Sequence, residues 1–407
     1  MRVAICALSA FTYVAECIDL AVALAREHEV RYFLGYQDNA AIALLERRGV
    51  ACEIILDEPP RLVSPAAARS TRELFTGFFF AQADAVLTHL PARLTAWGAD
   101  VVLSHLRDYA GINAAAVAGL PAVSFGSHAN PIRRESYDPP FGSGLSRSAP
   151  EAQRRLMWQY DREFHLELDA IYNRTCRLPY GLPPVQGAST HASDRLILLS
   201  LIPALGNTNA RTPDHVRYVG SLFSKAQPVV SDGERALLEQ LTCSRHPRVF
   251  VSLGTTYGAS LAPQCLDALS GFSGTVVASG CPAARVEQGA IQAPFFSDVD
   301  AVLRACDAVV TVCGGKTVMD VLAHGLPVVG LPRQGEQKEI AMALQEQGAA
   351  ILPCLRKWDA DAFVSAVETT CADDGYRRAA ARLQAEVASS GGAAQAVEEV
   401  LRATVAH

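Results

Sequence analysis

Residues Val309–Gln337 read VVTVCGGKTVMDVLAHGLPVVGLPRQGEQ. The first five are uncharged and mostly β-branched, the composition of a strand buried on both faces, and they run straight into Gly314-Gly315. The amphipathic run that follows predicts a helix from near Lys316-Thr317, and Val328–Leu331, stopped by Pro332, predicts a second buried strand. Strand, tight turn, helix and strand make the repeating unit of a parallel sheet with helices on its faces. Two glycines at such a turn let backbone N–H groups approach a ligand closely, and the unpaired N–H groups and dipole of the helix start favour an anion such as a diphosphate. Lys316 adds a positive charge there, and Asp320, one turn on, offers a carboxylate to ribose hydroxyls. Any tight strand–helix connection gives the same local pattern, so the turn alone identifies an element of fold and not a ligand.

The same rhythm extends outward from this stretch. Upstream lie the apolar runs Val249–Leu253 and Thr275–Ala278, then Ala308–Cys313. In the first half Val3–Leu8, Val30–Leu34, Ala51–Ile55, Val101–Ser104 and Ala122–Phe125 alternate with helical patterns over Cys17–Glu27, Asn39–Arg48 and Ala110–Ala118. A longer helix is predicted over Glu151–Thr175, with Leu156, Trp158, Phe164, Leu168 and Ile171 as an ordinary packing stripe. Between the two series Arg195–Leu201 reads as a strand, and Ile202–Pro228 is rich in Pro, Gly, Asn and Thr, as a linker is. The expected architecture is α/β: two doubly wound domains facing a cleft. Their expected bounds are 1–205 and 220–390, with a linker over 206–219 and a closing helix in 391–407. Ligands in such sheets bind beyond the carboxyl ends of the strands.

Composition agrees with a folded, water-facing protein. The chain has 407 residues, 50% hydrophobic and 19% charged, enough apolar material for sizeable cores and too much for disorder. A net charge of −6 argues against a coat for nucleic acid or an anionic membrane. No apolar run reaches the roughly 18 residues of a spanning helix, and the apolar opening Met1–Ala10 turns at once into an amphipathic helix, which reads as a buried strand rather than a secretion signal. Eleven cysteines without a CxxC pair predict buried thiols in a reducing cytoplasm and no zinc site.

Taken in order, Cys313-Gly314-Gly315-Lys316-Thr317, Asp320, Gly325-Leu326-Pro327 and Glu336-Gln337 resemble the C-terminal half of the nucleotide-sugar-dependent glycosyltransferases of GT-B fold. The similarity is to the group with plant, macrolide and glycopeptide glycosyltransferases, whose motif is His-Gly-Gly-x-Gly-Thr, then an acidic residue, Gly-x-Pro and a loop ending Asp-Gln. Val249–Thr256 (VFVSLGTT) resembles the opening of the family's nucleotide domain, Val216–Ser221 (VRYVGS) the strand after its linker, and Leu20–Val30 (LAVALAREHEV) part of its first βαβ unit. A final helix near Ala393–Ala403 would pack back across the first domain, as in family members.

The resemblance implies inverting transfer of a sugar from a UDP- or dTDP-sugar to a small, natural-product-like acceptor. The nucleotide sugar is then a co-substrate, with no cofactor and no metal, since no DxD pair lies in a suitable loop. Donor-binding residues carried over by the motif are Thr255, Thr256, Cys313, Gly314, Gly315, Lys316, Thr317, Asp320, Glu336 and Gln337. A cytoplasmic location is expected; partners are the nucleotide sugar and the acceptor, with no nucleic acid, no membrane segment, and a homodimer as the oligomer to test.

Departures from the family pattern fall on its chemistry. The Gly-His pair that supplies the family's general base aligns with Thr12-Tyr13, and its partner aspartate falls at or near His105 in Asp100–Asp108 (DVVLSHLRD). The diphosphate histidine falls at Cys313, and the Gly-Gly-Lys-Thr spacing is one residue short, which is more similar to the peptidoglycan-precursor N-acetylglucosaminyltransferases. One reading makes His105 the base, an imidazole being suited to removing a hydroxyl proton; His128 is the second candidate, and Tyr13, Glu16 and Asp19 follow as acceptor-side residues. The other reading needs no strong base, because the acceptor is an amine or acidic phenol, or because the chain is a non-catalytic auxiliary protein. A UDP-sugar 2-epimerase of the same architecture is the alternative enzyme. Lys316 stands in for the missing histidine as a point charge on phosphate.

Acceptor loops are expected over Leu62–Phe80 and Asn130–Ala149. Phe75, Phe78, Phe79 and Phe80 read equally as pocket lining or as a buried helix face. Arg133-Arg134 reads as a solvated pair, with attraction of an anionic acceptor as the alternative. Cys313 reads as packing, with a reactive thiol as its alternative.

Overall fold

Pairing on both edges buries β1 (Arg2–Ala7): it lies parallel to β2 (Glu29–Leu34) on one side and to β4 (Val101–His105) on the other, and Val3, Ala4, Ile5 and Cys6 expose no surface. β3 (Ala51–Ile54), β5 (Ala122–Gly126), β6 (Ile197–Leu199) and β7 (Val216–Tyr218) complete a seven-stranded parallel sheet in the order β3-β2-β1-β4-β5-β6-β7. The computed structural model describes residues 1–405 except 66, 133, 135–136, 207–210, 224–229, 281–289 and 354–357, and no side chains at 255–259 or 405.

The second sheet is also parallel. β8 (Arg248–Ser252), β9 (Thr275–Ser279), β10 (Ala290–Ala293), β11 (Ala308–Thr311), β12 (Val328–Gly330) and β13 (Ala350–Ile351) run in the order β10-β9-β8-β11-β12-β13. Apolar clusters sit on both faces of each sheet, which is why the strands read as continuous rather than alternating apolar runs.

Strand order fixes where ligands can go. In the first sheet the chain winds one way from β1 and the other way from β4, so a crevice opens at the carboxyl ends of these two strands, between the loop after Ala7 and the loop after His105. In the second sheet the switch lies between β8 and β11, at Leu253 and Val312–Gly315.

Three features depart from the sequence reading. Residues Val216–Tyr218, expected in and just after the linker, form the edge strand of the first sheet, paired with β6. β10 and β13 were not expected; they are short edge strands with weak apolar runs. The helix expected near Lys316 starts at Gly315, with Gly314 extended before it. The closing helix Gly392–Val405 packs on the helix Ile18–Leu24, and its Ala396 and Val400 are buried in the cluster that holds Leu20, Ala21 and Leu24. Among the described residues no helix is long and apolar enough to cross a membrane.

Candidate active site

The two switch points meet. Ser127, in the loop after β5, packs so closely on Gly315 that a Cβ added there would stand 2.6 Å from the Ser127 Cβ. A side chain at 315 would wedge the halves apart.

On the first-sheet side the loop after β1 carries Tyr13 and Glu16, and β4 ends at His105. Glu16 is buried; its Oε2 lies 3.1 Å from His105 Nε2, and its Oε1 accepts from the Ser200 hydroxyl at 3.1 Å. His105 Nδ1 accepts the Arg107 backbone N–H at 3.0 Å, so the ring proton belongs on Nε2, facing Glu16. Burial alone would raise the Glu16 carboxyl, but His105 and the hydroxyls of Ser127 and Ser200 outweigh it and hold it below the ordinary carboxylate value. Both nitrogens of His105 are thus engaged, and the residue is 3% exposed. Tyr13 sets the edge of its ring on His105, centroids 5.1 Å apart.

His128 differs. Its ring lies 6.5 Å from that of His105 and 6.3 Å from that of Phe141, and among the described residues no hydrogen bond engages it. Burial, then the charge of Arg107, then His105 push its pKa well below the ordinary histidine value, so the imidazole is neutral with a lone pair to offer. Asp19 is taken up elsewhere, 2.7 Å from the Arg48 guanidinium in the first turn of its helix.

On the second-sheet side Cys313 adopts φ +62°, turning the chain so that Gly314 can precede the helix Gly315–Ala323. No side chain caps this helix, which leaves its first-turn N–H groups open to a ligand. The Cys313 thiol is fully buried and pushed up to about 12 by that burial, and so serves packing rather than reactivity. Lys316, 47% exposed by side chain, pairs with Asp320 at 2.5 Å and lies 5.3 Å over the Phe223 ring. Thr317 is half-buried in the same turn. Gln337 is buried, its Oε1 accepting the backbone N–H groups of Arg333 and Gln334, while Glu336 is half-buried beside it. The side chains of Thr255 and Thr256 lie outside the described residues. No cluster of three or more His, Cys, Asp or Glu able to hold a metal occurs among the described residues.

The Lys316 geometry gives an expectation. Its charge is shared with Asp320 and partly solvated, so Lys316→Ala should weaken dTDP binding by about 1 kcal/mol, roughly fivefold, in a calorimetric titration. Unchanged affinity would remove Lys316 from the donor site.

A strap that the sequence suggested only as an acceptor loop ties the halves together. Arg134, expected to be solvated, is buried and pairs with buried Glu339 of the helix Gly335–Glu346 at 2.5 Å. Glu339 also accepts the Gly142 N–H at 2.7 Å, and Arg147 pairs with Glu346 on the same helix. A Cβ on Gly142 would stand 2.9 Å from Gly335 Cα. Arg133 lies outside the described residues. Phe75, Phe78, Phe79 and Phe80 are buried in the cluster between the first sheet and its helices, the buried-face alternative. Sequence reading passed over Ser127, Ser200, Arg107 and Glu339: no local motif marks them, and Ser127, Ser200 and Glu339 act through partners far along the chain.

The family model for the C-terminal domain of erythromycin biosynthesis protein CIII-like proteins matches residues 288–403. The zeaxanthin glucosyltransferase of Pseudescherichia vulneris is 26% identical over 65% of this chain, and the match spans 64% of that relative's length. The 4'-demethylrebeccamycin synthase of Lentzea aerocolonigenes is 27% identical over 92% of both chains. Among solved structures, the kitacinnamycin glycotransferase superposes with a TM-score of 0.76 at 17% identity over 99% of both chains. Glycosyltransferase VinC, solved in complex with dTDP, gives 0.68 at 18% identity over 100% of both. The chain thus has the GT-B fold of these solved glycosyltransferases, and its sequence is similar to glycosyltransferases of antibiotic and natural-product type.

Proposed function

We propose that the chain is an inverting glycosyltransferase that moves a sugar from a dTDP- or UDP-sugar to a small natural-product-like acceptor. The observation that carries this reading is the Ser127–Gly315 contact, which sets His128 and the Glu16–His105 pair against an uncapped helix start. The acceptor hydroxyl gives its proton to neutral His128 as its oxygen attacks the anomeric carbon. The bond from that carbon to the diphosphate oxygen breaks on the opposite face, which inverts the centre. Charge growing on the leaving diphosphate is met by the N–H groups of Gly315, Lys316 and Thr317 and by the Lys316 ammonium. Glu16 and His105 hold the loop after β1 against β4 and take no proton from substrate. Asp320, Glu336 and Gln337 flank the donor, where their remaining lone pairs and N–H groups suit ribose and sugar hydroxyls.

The test is thermal unfolding of the full chain against dTDP, UDP, GDP and ADP. Ligand at about 100 times its Kd adds roughly 2.7 kcal/mol, which for a chain of this size moves Tm by a few degrees. A selective rise with dTDP or UDP is expected; no rise with any nucleotide would overturn the donor-site assignment.

A further inference from the structure

Arg107 is a buried cation without a buried anion. It is 8% exposed, yet no carboxylate of the described residues comes within ion-pair distance of its guanidinium. Its neighbours are neutral: the Ser189 carbonyl accepts from Nη1 at 3.4 Å and also from the Tyr109 hydroxyl, and the Phe75 and Phe79 rings lie 5.3 and 5.8 Å from Cζ. The two buried acids of the same crevice are committed elsewhere. Asp108 caps the helix Tyr109–Ala118 by accepting the Ala110 N–H, and Glu16 serves His105, Ser127 and Ser200. A guanidinium has five N–H donors, and none of the Arg107 nitrogens is sealed away without a partner, so the unused donors reach accessible space. Withdrawing such a charge from water without an opposite charge is costly, and the cost is recovered when a ligand supplies the anion.

The position of this charge indicates which ligand. Arg107 follows His105 by two residues at the carboxyl end of β4 and lies close enough to His128 for its charge to act on that ring. It therefore stands on the first-sheet side of the crevice, beside the base that faces the acceptor. We propose that Arg107 makes the acceptor pocket selective for molecules bearing a carboxylate, which its planar fork engages while the nucleophilic group faces His128. This rests on the glycosyltransferase reading of the site, and it assigns the acceptor class that reading leaves open.

The experiment compares 2-naphthoate with its neutral counterpart 2-naphthamide by calorimetric titration of the full chain, with dTDP and UDP titrated in parallel. Naphthoate is expected to bind at least about tenfold more tightly than the amide, the discrimination a charge-assisted hydrogen-bonded pair supplies. Arg107→Gln should erase the preference to within about twofold while keeping amide and nucleotide binding, and Arg107→Lys, which keeps the charge without the fork, should retain part of it. Equal wild-type affinities, a preference that survives in Arg107→Gln, or no binding of either naphthalene while a nucleotide binds would each overturn the proposal. The wild-type comparison decides even if a variant fails to fold. Loss of nucleotide binding with the naphthoate preference intact would instead overturn the donor-site reading and leave Arg107 as an anion site.

Discussion

His128→Ala is expected to lower kcat by about 10² to 10⁴ while leaving dTDP affinity unchanged. A general base needs a lone pair that faces the acceptor and is unprotonated at working pH. His105 fails the first requirement, because Nδ1 is taken by the Arg107 N–H and Nε2 by Glu16. His128 meets both: its ring is unbonded among the described residues, and burial together with Arg107 and His105 lowers its pKa. The sign of the pH dependence follows. A base acts when unprotonated, so a lowered pKa keeps His128 competent on the acid side of the ordinary histidine value of 6.5, and the acid limb of kcat/KM should fall below that pH. His105→Ala should act differently, lowering Tm because the buried Glu16 carboxylate loses its main partner, with a smaller effect on kcat in the protein that remains folded. Near-normal turnover in His128→Ala, with kcat collapsing in a well-folded His105→Ala, would reverse the two roles.

Much of this site is legible in the sequence, for a physical reason. Parallel strands buried on both faces leave unbroken β-branched runs, and Gly314-Gly315 marks where such a run meets a helix, so both sheets and the donor-side turn can be read locally. Val216–Tyr218 is found as a strand through the resemblance, but its place in the first sheet is not legible, because a three-residue edge strand in a Pro- and Gly-rich segment takes its partner from β6. Cys313 at positive φ carries no signal at all, since a left-handed non-glycine residue reflects the turn that surrounds it. On the acceptor side the loop after β1 and the end of β4 could be found by counting, and that count brought Tyr13, Glu16 and His105 together. It put His105 ahead of His128 as base, and the features that argue for the reverse order, a backbone N–H two residues away and a carboxylate 89 positions back, leave no mark in the local sequence. Arg134 shows the limit most plainly: a loop arginine reads as solvated until the helix carrying Glu339, 205 positions on, folds over it.

That pairing supports the last expectation, on stability. Glu339→Ala should destabilise the chain by about 3 to 5 kcal/mol, the usual result of removing one member of a buried ion pair. Both partners are sealed from water, and the Arg134 guanidinium already has one nitrogen, Nε, without a partner. Removing the carboxylate strands the charge that remains and also orphans the Gly142 N–H, at a point where Gly142 packs so tightly on Gly335 that no side chain could fill the gap. Arg134→Met combined with Glu339→Ala should recover part of the loss, since the apolar pair carries no stranded charge. Urea unfolding of the two single variants and the double variant measures the coupling. Because the pair joins the strap to the helix that begins at Gly335 with Glu336 and Gln337, the single variants should also raise KM for the donor more than they lower kcat. Additive losses in the double variant, with donor KM unchanged, would mean that the strap neither shares energy with this helix nor shapes the donor side of the crevice.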